Sequence, residues 1–261
     1  MDKQGEWDVI TAVARRFPRA TLTGPAAARV WGLATLAWVT NVDVLPPGKT
    51  RAKTRGGQSW TFRHGKTPER QTAMVQGMRV TKVIVMLFDT YRYHGRLPGL
   101  VTLESARNKW PEMTVDRLLE LAEELPRAKG LRGFRKLVRE SVGTSESALE
   151  TVVRDIVRQI EGVVVRAQVA FQYRGQYGDP RTGRIDLVVN DVVAIECDGR
   201  EFHGPGVTEE ERYREKQLLN RGMVVLRVGW KEVNDGTLAQ LVENALEKIA
   251  NAPRRAKRPS A

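Results

Sequence analysis

The chain contains very little cysteine, and its apolar runs are short. One cysteine, Cys197, occurs among 261 residues, so an internal disulfide is excluded and no cysteine pair is available for a zinc site. The longest apolar runs, such as residues 83–88, are far too short to cross a bilayer. The first residues lack the basic start and apolar stretch of a secretory signal. We therefore expect a cytoplasmic protein without a membrane span.

Acidic residues are scarce in the first half of the chain. Residues 1–140 hold 25 Lys and Arg against 13 Asp and Glu, and residues 11–100 hold 15 against 3. Residues 141–261 are balanced, with 18 of each. A basic excess attracts a polyanion by Coulomb force and by counterion release, although it can also serve solubility alone. We expect DNA as the partner and no small-molecule cofactor.

The chain divides into two segments that differ in charge balance and in their pattern of predicted helices and strands. We predict domains at residues 1–141 and 142–251, followed by a disordered basic tail at 252–261, which is rich in Pro, Arg and Lys. Composition and length do not predict the oligomeric state.

In the first segment, the sequence predicts short helices around residues 25–36 and a pair of strands at 38–45 and 58–64. A Gly- and Pro-containing basic turn joins these strands and carries Arg51, Lys53 and Arg55, which could lie along a phosphate backbone. Farther along, residues 115–139 predict two helices interrupted at Pro126.

The second segment predicts a helix, three strands, a helix, a strand and a final helix. Capping boxes at Ser147 with Glu150 and at Thr208 with Glu211 open the first two helices. A Gly-rich loop at residues 175–183 separates the first two strands. The four strands are expected at residues 163–173, 184–189, 192–198 and 223–228.

Acidic residues interrupt two of these apolar strands. Asp186 lies in the second strand, and Glu196 and Asp198 lie two positions apart in the third, on one face. A carboxylate among aliphatic neighbours is unfavourable unless something binds it. Mg²⁺ accepts one or two carboxylates and supports phosphodiester hydrolysis, so the pattern predicts a divalent metal site. Cys197 then points into packing and is structural.

The metal site depends on the turn between the second and third strands. A two-residue turn would send Asp186 and Glu196 to opposite faces of the sheet. The site therefore requires a three-residue turn or a bulge between Val189 and Val193, and the Asn-Asp pair in this stretch tolerates the left-handed backbone involved.

A loop directly after the third strand carries His203. An imidazole at this position could donate a proton to a leaving oxygen or accept one from water. An isolated loop histidine is more often a surface or capping residue, but the neighbouring acids favour the catalytic interpretation.

A set of spaced residues in this segment matches the pattern D…(I/V)ExDG…H…R…L…G…(V/I)LR. The matching residues are Asp186, 195–199 with Glu196 and Asp198, His203, Arg214, Leu218, Gly222 and 225–227. Over residues 145–250 the chain resembles the domain of unknown function 559, a relative of very-short-patch-repair endonucleases in the restriction-endonuclease-like superfamily.

The resemblance implies an α/β fold: a restriction-endonuclease-like αβββαβ C-terminal domain, with a smaller mixed α+β N-terminal domain. It also implies Mg²⁺-dependent DNA cleavage, with Mn²⁺ as a possible substitute, and Asp186 and Glu196 as metal ligands. Glu146 is where such domains often carry another catalytic acid, or it is a favourable charge at a helix N-terminus. Arg214 could hold a phosphate or pair with one of the acids.

The chain departs from the wider superfamily at one position. That superfamily has a lysine two residues after the second acid, where this chain has Asp198. His203, or Lys216 from the following helix, would then have to assist the attacking water. Very-short-patch relatives also lack the lysine.

Residues 20–140 are similar to AbiEi-type antitoxin proteins. The similarity rests on the small residues from Thr21 onward that precede Trp31-Gly32-Leu33, followed by the strand pair. Trp31 is expected to anchor the core. The stretch before Thr21 is too short for the winged helix-turn-helix that usually opens such proteins.

Three hypotheses follow. The first is a Mg²⁺-dependent DNA endonuclease whose basic N-terminal domain holds the duplex, and Asp186 with Glu196 favours it. The second is a non-catalytic DNA-binding regulator of antitoxin type with a degenerate nuclease fold, which Asp198 favours. The third, a scaffold that binds a protein through the basic turn, has no specific residue behind it.

Overall fold

The computed structural model describes residues 1–47, 59–64, 69–198 and 209–251. The chain is mixed α/β and forms two compact units, Met1–Ala148 and the residues from Leu149 onward. Each unit has its own mixed sheet. Within the described residues, no helix is long and apolar enough to cross a membrane.

The first unit surrounds a five-stranded sheet in the order β3-β2-β1-β5-β4. A 3-10 turn at Glu69–Gln71 precedes β4. Its helices and strands are α1 (Lys3–Arg16), β1 (Thr21–Thr23), α2 (Gly24–Val30), β2 (Val42–Leu45), β3 (Trp60–Phe62), β4 (Thr72–Val75), β5 (Met78–Thr81), α3 (Val83–His94), α4 (Arg96–Lys109), α5 (Val115–Glu123) and α6 (Leu131–Glu140).

Two expectations for this unit were wrong. The predicted strand pair exists as β2 and β3, but the strands run parallel, and a tight turn cannot join neighbouring parallel strands. The unit is also the larger of the two, because α1, α3, α4, β1, β4 and β5 extend the domain well beyond the predicted elements.

Other expectations for the first unit are confirmed. Two helices, α5 and α6, lie on either side of Pro126. The first is capped by Thr114, whose hydroxyl accepts the Arg117 N–H at 3.2 Å, and the second buries Phe134 completely. Trp31 packs against the core, and its indole N–H donates to the Thr81 carbonyl at 2.9 Å.

Buried acids link the sheet of the first unit to α3. Asp43 on β2 accepts from Arg63 Nε at 2.7 Å and lies 2.5 Å from His94 Nε2. Asp89 on α3 accepts from Thr23 Oγ1 at 2.6 Å, and burial raises its pKa to about 6. These partners satisfy carboxylates that would otherwise be unstable in a core.

The second unit has the predicted element order, with one short additional helix. Its sheet has the order β6-β7-β8-β9, in which only β8 and β9 are parallel. The loop predicted at residues 175–183 is shorter than expected because β7 already begins at Pro180. The elements are α7 (Ala148–Val157), β6 (Val165–Arg174), β7 (Pro180–Val189), β8 (Val193–Cys197), α8 (Glu209–Asn220), β9 (Val224–Val228), α9 (Trp230–Asn234) and α10 (Leu238–Asn251).

Helices cover both faces of this second sheet. Leu149 and Val153 of α7 and Val242 of α10 form one core with inward-facing residues of β7 and β8. Leu218 of α8 packs on the other face, against Ala194. A strand with both faces covered is apolar throughout, so a polar residue inside it needs a specific partner.

Candidate active site

The β7–β8 connection is a three-residue turn. Val189 pairs with Val193, and the intervening Asn190 and Asp191 have φ angles of 48° and 60°. Asn190 fixes the turn from outside the hairpin, because its Oδ1 accepts the Val164 N–H at 2.7 Å. The three-residue turn that a metal site shared by Asp186 and Glu196 requires is therefore present.

This register makes Asp186 and Glu196 neighbours. The last β7–β8 pair is Leu187 with Ile195, and one further step along the same ladder sets Asp186 across from Glu196. Beyond that pair, Asp186 Oδ2 accepts the Cys197 N–H at 2.8 Å. The Asp186 carboxylate thus lies at the point where β7 leaves β8.

Glu196 is a largely buried carboxylate with a perturbed pKa. Its side chain is 13% exposed. Burial raises its pKa to about 7, Arg214 opposes this shift, and the negative charge of Asp186 adds to it. A cation bound between the two acids would favour the charged form of Glu196. Carboxylates with a pKa perturbed in this way are common at functional sites.

Helix α8 contributes alternating charges above β8 and β9. Arg214 lies 3.1 Å from Glu196 Oε1, and the next residue, Glu215, lies 2.9 Å from the Arg227 guanidinium. Arg227 is the β9 neighbour of Glu196. Of the two roles expected for Arg214, the structure shows the pairing with an acid.

Within the part of the chain that the structure describes, the charges that act on Cys197 are those of carboxylates. Burial, followed by the charges of Asp186, Glu150 and Glu196, raises the pKa of the thiol strongly. The thiol therefore remains protonated at neutral pH, and a nucleophilic role is excluded because the thiolate is the reactive species. The structural role expected for Cys197 fits this environment.

A third acid near the site, Glu150, was expected only as a capping residue. It lies on α7, is 7% exposed and accepts from Gln168 Nε2 at 2.7 Å. Glu146, the helix acid that the resemblance implied, is exposed just before α7. The sequence spacing of Glu150 matches a capping box, so its role at the site was not recognised. Its burial becomes visible only when β6 is in place beside α7.

The donor set fits a small divalent cation. Asp186 and Glu196 offer hard carboxylate oxygens, and Mg²⁺ keeps several waters and needs only one or two such ligands. No group of three or more His, Cys, Asp or Glu arranged to hold a metal occurs among residues 1–47, 59–64, 69–198 and 209–251. Two hard carboxylate oxygens are a donor set that suits Mg²⁺ or Mn²⁺.

Several predicted site residues lie outside the described residues, namely His203, Arg51, Lys53, Arg55 and the capping residue Thr208. The predicted tail at 252–261 lies outside them as well. Asp198 is described: it follows β8 directly, is half-buried, and donates its backbone N–H to the Val228 carbonyl at 2.8 Å.

Part of the basic excess in the first half is neutralised within the first unit. Four arginines that contribute to it each lie within ion-pair distance of an acid. These pairs are Arg29 with Glu6, Arg63 with Asp43, Arg79 with Glu69, and Arg92 with Asp89. The charge available to an external polyanion is therefore smaller than the composition suggests.

Comparison of the chain with protein-family models, with curated proteins and with solved structures finds no match.

Proposed function

We propose that the chain is a Mg²⁺-dependent DNA endonuclease with its active site in the second unit. The observation that carries the proposal is the β7–β8 register, which sets Asp186 across from Glu196 one step beyond the last pair, where burial and mutual repulsion disfavour two negative charges. The order α7-β6-β7-β8-α8-β9 agrees with the restriction-endonuclease-like fold that the sequence resemblance implies.

Hydrolysis adds water across one P–O bond and yields a phosphate monoester and a hydroxyl group. A bound divalent cation supplies Lewis-acid chemistry, neutralising charge that develops on the phosphate and making water a better nucleophile at neutral pH. Asp186 and Glu196 would hold the cation. Arg214 would leave Glu196 when the cation neutralises this acid, and its guanidinium would then be available to the phosphate.

The long β6–β7 hairpin supports a nucleic-acid substrate. The β6–β7 pairing continues from Ile185 to Pro180 beyond the last β7–β8 pair, a length of roughly 17 Å at ~3.3 Å per residue. Tyr177, at its tip, is 89% exposed, and the side chain of Arg174 is exposed nearby. An exposed aromatic ring beside a cation can stack on a base and contact the backbone.

A second candidate function is a DNA-binding regulator that does not cut. One observation favours it: Arg214 already pairs with Glu196, and Arg227 also lowers the pKa of this acid, so the site has internal countercharge. Asp198 in place of the superfamily lysine points the same way. Such a protein would bind DNA through the hairpin and gain nothing from Mg²⁺.

A cleavage assay with matched variants separates the two functions. Supercoiled plasmid is incubated with the full chain in Mg²⁺, Mn²⁺ or EDTA, beside Asp186→Asn and the control Asp191→Asn, which makes the same change on the exposed turn. An endonuclease nicks the plasmid only with metal, and only Asp186→Asn abolishes nicking. Plasmid binding without nicking in either metal supports the regulator, and nicking by Asp186→Asn overturns the assigned site.

A further inference from the structure

Gln168 has an unusual backbone for its position inside a strand. It lies on β6 with φ of 52°, in the left-handed region that residues other than Gly, Asn and Asp rarely adopt. The β6–β7 ladder is interrupted at this residue, which the register leaves unpaired, and the strand changes face there, because Ala167 packs in the core beside α7 and Val169 in the core beside α8. Strained backbone of this kind is concentrated at functional sites.

The same register sets Gln168 beside the acids. Its flanking residues pair with Leu187 and Ile185, so the cross-strand neighbour of Gln168 is Asp186. Asp186 is in turn the neighbour of Glu196 on β8. One row across three strands therefore contains an amide and two carboxylates.

The two ends of the Gln168 amide are in different situations. Its Nε2 donates to the buried Glu150 carboxylate at 2.7 Å. An ionised carboxylate can only accept hydrogen bonds, so the nitrogen end of the amide faces Glu150. Its Oε1 is buried and has no hydrogen-bond partner among the residues that the structure describes. A buried acceptor without a partner is unfavourable, and Mg²⁺ and Mn²⁺ accept carbonyl oxygens, including those of amides, alongside carboxylates.

We propose that the side-chain oxygen of Gln168 is a third protein ligand of the divalent cation, and that Glu150 is a positioning residue that fixes the amide with its oxygen toward the acids. This inference rests on the proposed metal site. The left-handed backbone marks the point where β6 changes face, and there the amide would bridge Glu150 of α7 and the acids of β7 and β8. The row Gln168, Asp186 and Glu196 then supplies three hard oxygens, and water completes the coordination.

The test measures metal binding without DNA. Mn²⁺ is titrated into the full chain, and bound Mn²⁺ is determined from the loss of the free-ion electron paramagnetic resonance signal. Gln168→Leu keeps the size of the side chain and removes the oxygen, and we expect its Mn²⁺ affinity to fall roughly tenfold or more. Gln172→Leu, the same change at an exposed position of β6, should bind like the unmodified chain.

A second variant separates ligand loss from misfolding. Asn tolerates a left-handed backbone better than Gln, which offsets the loss of the hydrogen bond to Glu150, and its shorter side chain withdraws the oxygen. Weaker Mn²⁺ binding by Gln168→Asn, with undiminished resistance to urea in EDTA, supports the inference.

The outcomes also separate this inference from the function on which it rests. If both Gln168 variants bind Mn²⁺ like the unmodified chain while Asp186→Asn does not, the ligand role of Gln168 is overturned and the metal site stands. If the unmodified chain binds no Mn²⁺, or if Asp186→Asn binds it normally, the proposed metal site itself fails.

Discussion

Replacing Glu196 by Gln should stabilise the metal-free protein, and the gain should depend on pH. Burial, the opposing charge of Arg214 and the repulsion from Asp186 together move the pKa of Glu196 from 4.5 to about 7 in the folded chain. Below pH 4.5 the acid is largely neutral in both states, so folding is not penalised. Between pH 4.5 and 7 the folded chain keeps a proton that the unfolded chain has lost, and stability falls as pH rises.

The size of this effect follows from the shift. Each pKa unit corresponds to about 1.4 kcal/mol, so the penalty on the folded state approaches about 3 kcal/mol above pH 7. Gln is neutral at every pH and avoids it. We therefore expect the free energy of unfolding of Glu196→Gln, relative to the unmodified chain, to rise by up to about 3 kcal/mol between pH 4.5 and pH 8.

Urea unfolding in EDTA at the two pH values measures this difference. Glu243→Gln, an exposed position of α10, reports the general effect of removing one negative charge. Adding Mg²⁺ at pH 8 should stabilise the unmodified chain more than Glu196→Gln, because the cation relieves the same penalty. A gain that is equal at both pH values, or absent at pH 8, would refute the reasoning.

Three further predictions concern the turn, the arginine and the positioning residue. Asn190→Val loses the hydrogen bonds to Val164 N and Gly162 O and forces a β-branched residue to a φ of 48°, so urea unfolding should show a loss of about 2 kcal/mol; an unchanged midpoint would contradict this. Arg214→Met removes the cation that lowers the pKa of Glu196, so the midpoint of Mn²⁺ binding against pH should move upward, and a fixed midpoint would show that the ion pair has no influence. Glu150→Leu leaves both carboxylate ligands in place but frees the amide of Gln168, so Mn²⁺ affinity should fall several-fold, whereas unchanged affinity would remove the positioning role.

The second unit could be predicted from sequence because its strands are long and apolar. Residues 184–189 and 192–198 carry few polar residues, so Asp186 and Glu196 stood out as exceptions to a clear pattern. The turn between them could not be assigned, since an Asn-Asp pair suits both two- and three-residue turns. The longer turn is accompanied by hydrogen bonds of the Asn190 side chain to Val164 and Gly162, just before β6. These residues are distant from Asn190 in sequence, so the turn length could not be read locally.

Glu150 and Gln168 were not recognised as site residues for a related reason. Glu150 has the spacing of a capping box, and Gln168 looks like an ordinary outward-facing polar residue in a strand. Their contact joins α7 to β6 and depends on a left-handed backbone at a residue type that gives no signal of it. Only tertiary structure brings the two together.

The first unit was harder to predict because its strands are very short. The strands that were not predicted, β1, β4 and β5, have three or four residues each, too few for alternation to identify them. The parallel pairing of β2 with β3 also depends on β1, which pairs with β2 on its other side and was not predicted. The helices α5 and α6, whose apolar residues form a clear stripe, were predicted correctly, whereas the longer α1, α3 and α4 were not.

The most direct test of the account is to locate the metal. Crystals of the full chain are soaked in Mn²⁺ at a concentration that supports binding in solution, and anomalous scattering from manganese is mapped. The account predicts a peak coordinated by oxygens of both Asp186 and Glu196. A peak elsewhere, or none near these two acids, would contradict the claim that they share one divalent cation.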